Sequence, residues 1–546
     1  MSDRTVADVV GETLAKLGAD LVFGVVGSGN FHVTNALVAH GARFVATRHE
    51  GGAATAADAY ARVSGRPGVI TVHQGCGLTN AMTGITEAAK SRTPLLVLAA
   101  EPAATAVRSN FRVDQDALAQ AVGAVSDRVH GPASAVADTT RAWRTAVQQR
   151  RTVVLNLPLD VQAATAEPAE VPPAPATQPP RASDDAVTAL AHLLKDAGRP
   201  VFIAGRGAVA ARAELAALAE ASGALLATSA AAKGLFAGDA WNLDVSGGFA
   251  TPLAAELIRD ADVVVAWGAS LNMWTSRHGS LIGPDTTVVQ VDLDPAAFGA
   301  HHRLDLGVCG DARLTAVAVT AALPDQREAY RTDAVRERLR DRSRWRDVGY
   351  DDTGDESHID PRTLAITLDD MLPTERVIAV DSGNFMGYPS MFLSVPDHQG
   401  FVFTQAFQSI GLGLASALGA ALASPGRLPV AACGDGGFLM GIAELDTIRR
   451  LGLGMLIVVW NDEAYGAEVH HFGPAGHVLS TVVFPETDLA AVARGHGCAA
   501  VTVRKPEDLD LVRDWLAGPR DVPMVVDAKV TAEHPSWWLE EAFRGH

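Results

Sequence analysis

Apolar positions along this chain switch repeatedly between strand-like runs and helical spacing, and the alternation falls into three successive stretches. In the first, residues 6–17 carry apolar side chains at helical spacing and end at Gly18. Residues 21–26 form a short apolar strand, 31–39 a helix closed by Gly41, 43–47 a strand and 50–63 an alanine-rich helix. Strands at 68–72 and 94–100, with a helix over 78–91 between them, continue the series. A second stretch places strands at 200–204, 224–228, 262–267 and 286–292, and a third runs from about 360 to 530. Apolar strands alternating with helices predict parallel sheets covered on both faces. The expected fold class is therefore α/β, with three doubly wound parallel-sheet domains at 1–165, 185–325 and 360–546. The linkers are 166–184, within a Pro- and Ala-rich stretch without apolar period, and 326–359, which is rich in charge.

The strongest local signal lies in the third stretch. Residues 428–434 and 455–461 read as buried strands, and 442–451 between them has helical spacing. Such a β-α-β unit makes the strands parallel. Asp435 and Asp462 then stand at the carboxyl ends of neighbouring strands, on the edge where open α/β sheets bind ligands. Two carboxylates and a free carbonyl suit a hard divalent cation such as Mg²⁺. Gly434, Gly436 and Gly437 let the backbone approach a phosphate at the start of a helix.

Cys433-Gly434-Asp435-Gly436-Gly437, followed by Asn461-Asp462, resembles the diphosphate-binding motif of thiamine diphosphate (ThDP) enzymes. The resemblance implies that Asp435, Asp462 and the backbone carbonyl of Ala464 hold Mg²⁺, with Tyr465 and Gly466 against the cofactor. Asp462 stands where the family usually has asparagine, which adds a negative charge but keeps an oxygen ligand. Arg48-His49-Glu50-Gly51-Gly52 is similar to the segment that carries the activating acid of this family. Glu50 would share a proton with the cofactor's pyrimidine, so that the C2 proton is lost. By the same resemblance the Gln408 carbonyl receives the 4′-amino group, Ile410 wedges under the bent cofactor, and Asn384 contacts the diphosphate. Ser28 falls where benzoylformate decarboxylase-like enzymes reach the substrate carboxylate. His73, also in a loop after a strand, is suited to proton transfer near neutral pH. Glu468 lies at the offset where pyruvate and indolepyruvate decarboxylases carry a catalytic glutamate. The His-His pair of those enzymes is missing from the first stretch, and Arg108-Ser109-Asn110-Phe111 occupies its region.

Composition narrows the classes. With 546 residues and 48% apolar content the chain can bury several cores, and a formal charge of −18 argues against nucleic-acid or anionic-membrane partners. Four cysteines without a CxxC pair, and an amino terminus without a basic-then-apolar pattern, lead us to expect a cytoplasmic protein. In the central stretch, Gly205-Arg206-Gly207 and Asp292 to Asp294 follow strands. Matching regions of related enzymes bind FAD or the ADP moiety of a nucleotide, so either is open here.

The resemblance covers nearly the whole chain. It implies a non-oxidative enzyme acting on a small-molecule 2-oxo acid: CO₂ is lost, and the remaining carbon is captured by a proton or by a second carbonyl compound, as in acetolactate synthase. The alternative is a 2-hydroxyacyl-CoA lyase releasing formyl-CoA; a ThDP-binding subunit without turnover is a third reading. The family places its cofactor between the first domain of one subunit and the third of another, which implies a homo-oligomer, either dimer or tetramer, with active sites at the subunit interface.

Overall fold

The computed structural model of the chain describes residues 4–167, 170–171, 177–324, 326–533, 535 and 538–539; parts of the expected linkers and of the carboxyl-terminal tail lie outside them. The first helix, Val6–Leu17, shows how local sequence sets an element. Thr5 accepts from the Asp8 amide, Asp8 reaches back to Thr5, and Gly18 ends the helix in the left-handed region at φ 106°.

Eighteen strands form three sheets among the described residues. The first sheet holds β1 (Leu21–Gly24), β2 (Arg43–Ala46), β3 (Gly68–Val72), β4 (Leu95–Glu101), β5 (Val125–Arg128) and β6 (Thr152–Pro158) in the order β2-β1-β3-β4-β6-β5. The second holds β7 (Pro200–Ala204), β8 (Leu225–Thr228), β9 (Asn242–Val245), β10 (Val263–Trp267), β11 (Thr287–Asp292) and β12 (Leu306–Cys309) in the order β12-β11-β10-β7-β8-β9. That is the strand order of a dinucleotide-binding fold. The third holds β13 (Arg376–Val380), β14 (Phe401–Phe403), β15 (Leu428–Gly434), β16 (Leu456–Asn461), β17 (Ala499–Val503) and β18 (Met524–Lys529) in the order β14-β13-β15-β16-β18-β17. Every pairing is parallel, in keeping with the apolar central strands. The first and third sheets share one strand order.

The first and third domains also share one hydrophobic core, which runs from Phe23 and Ile70 through Ala56 and Leu418 to Ala431 and Ile457. Its centre is the contact between the helices Glu50–Ser64 and Gly413–Ala423, both rich in Ala and Gly, so their backbones approach closely. Two expectations shift locally. The helix expected over 442–451 is preceded by a short helix, Asp435–Gly441, and starts only at Glu444, ending at Arg450; three glycines in the first piece weaken it. The strand expected over 21–26 stops at Gly24, because Asn30 folds back on the chain, accepting from the Gly27 amide at 2.8 Å and donating to the Val25 carbonyl at 3.1 Å. No helix among the described residues is long and apolar enough to cross a membrane.

Candidate active site

The carboxyl edge of the third sheet gathers most of its expected residues. Asp435 opens the helix after β15, and Asp462 follows β16, the neighbouring strand. Burial pushes the Asp435 carboxyl up to about 6, against the pull of its own amide contacts and of Lys529. Burial pushes Asp462 up further, to about 7, and the Asp435 charge adds to it, while the Ala464 amide and the Asn384 side chain hold it down. A Cβ on Gly466 would overlap the Asp462 carboxylate and press on Asn384, so only glycine allows this approach. Tyr465 sits over Gly436. Two half-buried carboxylates that repel each other, beside a glycine-lined helix start, fit a divalent cation and a diphosphate. With only two acids and a carbonyl, the set falls short of three His, Cys, Asp or Glu side chains, and no cluster of that size forms among the described residues.

The turn carrying Gln408 and Ile410 lies on the same edge. Gln408 is held at φ 64°, a left-handed conformation uncommon outside glycine. Asp381, at the end of β13, ties this turn down: its carboxylate accepts from the Gly411 amide at 3.0 Å and from Leu412 at 3.1 Å. Gln408 is exposed and Ile410 half-buried. Glu468 is exposed in the first turn of the helix Gly466–Phe472.

In the first domain Glu50 is the first residue of its helix, and its side chain is buried to 9% exposure. Asn80 donates to the Glu50 Oε2 at 3.1 Å. Ser28 Oγ lies 3.4 Å from His73 Nε2, and His73 Nδ1 lies 3.1 Å from the Gln74 carbonyl. A carbonyl only accepts, so it fixes a proton on Nδ1 and leaves Nε2 of the neutral ring to accept from Ser28. Phe111 packs edge-on against the His73 ring at 5.0 Å. Gly77 lies between the side chains of His73 and Glu50. Thus Ser28, His73 and Glu50 share one edge. Their hydrogen-bond partners, His73 with Ser28 and Asn80 with Glu50, all lie in the first domain.

Several site-bordering groups escaped the sequence reading. Asn80, Asp381 and Lys529 are the chief ones. Lys529 is a fully buried lysine at the end of β18, 3.3 Å from Glu463 Oε1 and 3.7 Å from Asp527 Oδ2. A charge at the end of a mostly apolar strand, two residues after Asp527, was the signal it offered. In the central sheet the amides of Gly205 and Gly207 are spent on the carbonyls of Trp267 (2.8 Å) and Gly268 (3.0 Å). A nucleotide there would have to be held by other groups.

Two sheets of one strand order, a dinucleotide-type sheet between them in the sequence, and a half-buried carboxylate pair on one edge define a cofactor-dependent α/β enzyme. The sequence matches the family descriptions "Thiamine pyrophosphate enzyme, N-terminal TPP binding domain" over residues 4–124, "central domain" over 187–319 and "C-terminal TPP binding domain" over 381–528. It is 33% identical to a probable 2-ketoarginine decarboxylase of Pseudomonas aeruginosa, over 92% of this chain and 90% of the relative. It is 28% identical to a sulfoacetaldehyde acetyltransferase of Castellaniella defragrans, over 93% and 90% of the two chains. Identity to an acetolactate synthase large subunit of Parasynechococcus marenigrum is also 28%, over 95% and 86%. The chain belongs to the thiamine diphosphate (thiamine pyrophosphate) enzymes.

Proposed function

We propose that the protein is a Mg²⁺- and ThDP-dependent 2-oxo acid decarboxylase that ends its cycle by protonation. The observation that carries this reading is the Ser28–His73 pair, 3.4 Å apart and on the same edge as Glu50. A hydroxyl and an imidazole there can meet a substrate carboxylate and return a proton after CO₂ has gone. The reaction balances as a 2-oxo acid plus a proton giving an aldehyde and CO₂. When bound, ThDP supplies the carbon nucleophile and the electron sink for decarboxylation. Asp435, Asp462 and the Ala464 carbonyl would hold the cation. Gly434, Gly436, Gly437, Asn384, Tyr465 and Gly466 would line the diphosphate, with Gln408 and Ile410 beneath the pyrimidine end. Glu50, desolvated and steadied by Asn80, would hold the proton at the pyrimidine ring. The decarboxylase name of the relative at 33% identity supports the reaction type.

A second reading, carboligation, is favoured by the relatives with synthase and acetyltransferase names. We further propose that the enzyme works as a homo-oligomer, with Glu50 of one subunit facing the third-domain carboxylates of another. Exposed apolar side chains near both edges support it: Phe111, Met440, Tyr465, Phe472 and Phe484. The test is a panel of 2-oxo acids with ThDP and Mg²⁺, products read by mass spectrometry. Aldehyde and CO₂ from a single substrate are expected. Turnover only when a second carbonyl compound is added would replace decarboxylation with carboligation. Cleavage of 2-hydroxyacyl-CoAs alone would overturn both.

A further inference from the structure

The interface between the first and third domains of one chain contains a reciprocal contact that the catalytic reading leaves unused. Glu444, on the helix after β15, is 2% exposed. It accepts from the Arg48 amide (3.1 Å) and the His49 amide (3.1 Å), the two residues before Glu50, and from Thr447 Oγ1 (2.7 Å). Gly52 lies against the same carboxylate, where a Cβ would clash. Glu87, on the helix after β3 and fully buried, accepts from the Ala406 amide (3.2 Å) and the Phe407 amide (2.7 Å), the residues just before Gln408. Because the two sheets share one order, β3 corresponds to β15 and β2 to β14. Each glutamate therefore projects from the helical segment after the corresponding strand of its own domain onto the turn after the corresponding strand of the other. The contact is reciprocal, like a pseudo-two-fold version of an isologous interface.

The surroundings differ. Arg62 Nη2 lies 2.7 Å from Glu87, and Ser91 also donates to it; Arg62 in turn reaches the Phe403 carbonyl at the end of β14. Among the described residues no Arg or Lys side chain is hydrogen-bonded to Glu444. The neighbouring salt link, Arg48 to Asp446 at 2.5 Å, is exposed. Glu444 therefore grips its turn almost entirely through backbone amides, and charge-assisted bonds of that kind are the strong ones.

We infer that Glu444 and Glu87 are positioning residues: Glu444 fixes the turn that aims Glu50, and Glu87 fixes the turn that presents Gln408 and Ile410. The inference rests on the proposed role of Glu50 for its catalytic consequence, but the grip itself is independent of any cofactor. Each chain's third domain holds its own activating turn, even where the Glu50 carboxylate serves a cofactor clamped by another subunit.

The experiment has two readouts. In the cofactor-free protein, amide hydrogen exchange at Arg48 and His49 should rise about 10-fold in Glu444→Ala, the weight of one or two lost charge-assisted bonds. With ThDP and Mg²⁺ added, H/D exchange at the cofactor C2 should slow by a similar factor of about 10, with ThDP affinity unchanged within about threefold. Glu444→Gln keeps an oxygen that can accept from both amides but loses the charge, and should recover both signals in part. Glu444→Asp keeps the charge but is too short, and should behave like alanine; it also covers the case in which alanine prevents folding. For Glu87→Gln, which weakens its grip, the matching loss should appear in ThDP affinity rather than in C2 exchange. Unchanged amide exchange in Glu444→Asp overturns the inference. So does a raised amide exchange with C2 exchange intact, provided Glu50→Gln slows C2 exchange. If Glu50→Gln leaves C2 exchange untouched while the amides of 48 and 49 loosen in Glu444→Asp, the role of Glu50 fails and the grip stands.

Discussion

The first and third domains fold to one strand order yet carry opposite chemistry at corresponding places. After β3 the first domain has His73, Gln74 and Cys76, while after β15 the third has Asp435, Gly436 and Gly437. After β2 stands Glu50 on a helix start, and after β14 stands Gln408 in a left-handed turn. The first domain thus displays groups that can move protons, and the third displays groups that can hold charge. A duplicated sheet edge offers two ligand-facing surfaces of one geometry, and dividing binding from proton transfer lets each surface be tuned without disturbing the other.

That division can be broken most sharply by mutating each side alone and then together. Glu50→Gln should slow C2 deprotonation by about 10²- to 10⁴-fold, the usual worth of a positioned acid–base group, and leave ThDP affinity within about threefold. Asp435→Ala should do the reverse, weakening metal-dependent ThDP binding by about 100-fold, since even outer-sphere partners of a metal are worth 10–100-fold. Titration calorimetry with and without Mg²⁺ reads the second and C2 exchange the first. Equal losses in both readouts for either variant would erase the distinction between the domains. Mixing the two dead variants then tests the subunit arrangement. Random pairing gives about half mixed dimers, each with one intact site if the sites form between chains, hence about a quarter of wild-type activity. Sites within one chain would recover nothing.

Within the first domain the comparison sharpens on His73. His73→Ala removes the proposed proton donor and should lower kcat by about 100-fold or more. Ser28→Ala removes one hydrogen bond and should lower kcat/KM by only about 2- to 10-fold. A Ser28 effect as large as that of His73 would make the hydroxyl, not the imidazole, the acting group.

The sequence revealed the parts whose physics is local. Apolar runs of strand length, glycine-ended helices and the spacing from Asp435 to Asp462 located the sheets and the charged edge. Sequence reading could not find groups that act across domains. Glu444 lies 396 residues from Arg48, and Glu87 lies 320 from Phe407; each reads by itself as a surface acid on a helix. Asp381 and Asn80 act within one domain and were hidden for a different reason: their partners are backbone amides and a side chain brought near only by packing. Periodicity reports which face of an element is buried, not which polar group it meets there.

The smallest effect concerns how each domain ties down its own loops. In the first domain the tie is neutral: the Asn30 side chain closes the turn at Gly27. In the third it is Asp381, whose carboxyl burial lifts from 3.8 to about 6, against the hydrogen bonds from the Ser382, Gly411 and Leu412 amides. A folded value above the unfolded one means that the native state binds the proton more tightly. The stability this contributes is complete below the unfolded value and is lost as pH rises through about 6. Near neutrality the ionised, buried Asp381 therefore weakens the fold relative to acid pH. Asp381→Asn removes that titration while leaving an acceptor for part of the loop. Measured by urea unfolding of the cofactor-free protein, the stability of the variant relative to wild type should rise between about pH 4 and about pH 7. Parallel profiles across that window would show that the charged tie behaves like the neutral one, and the two domains would then differ only in what they present to ligands.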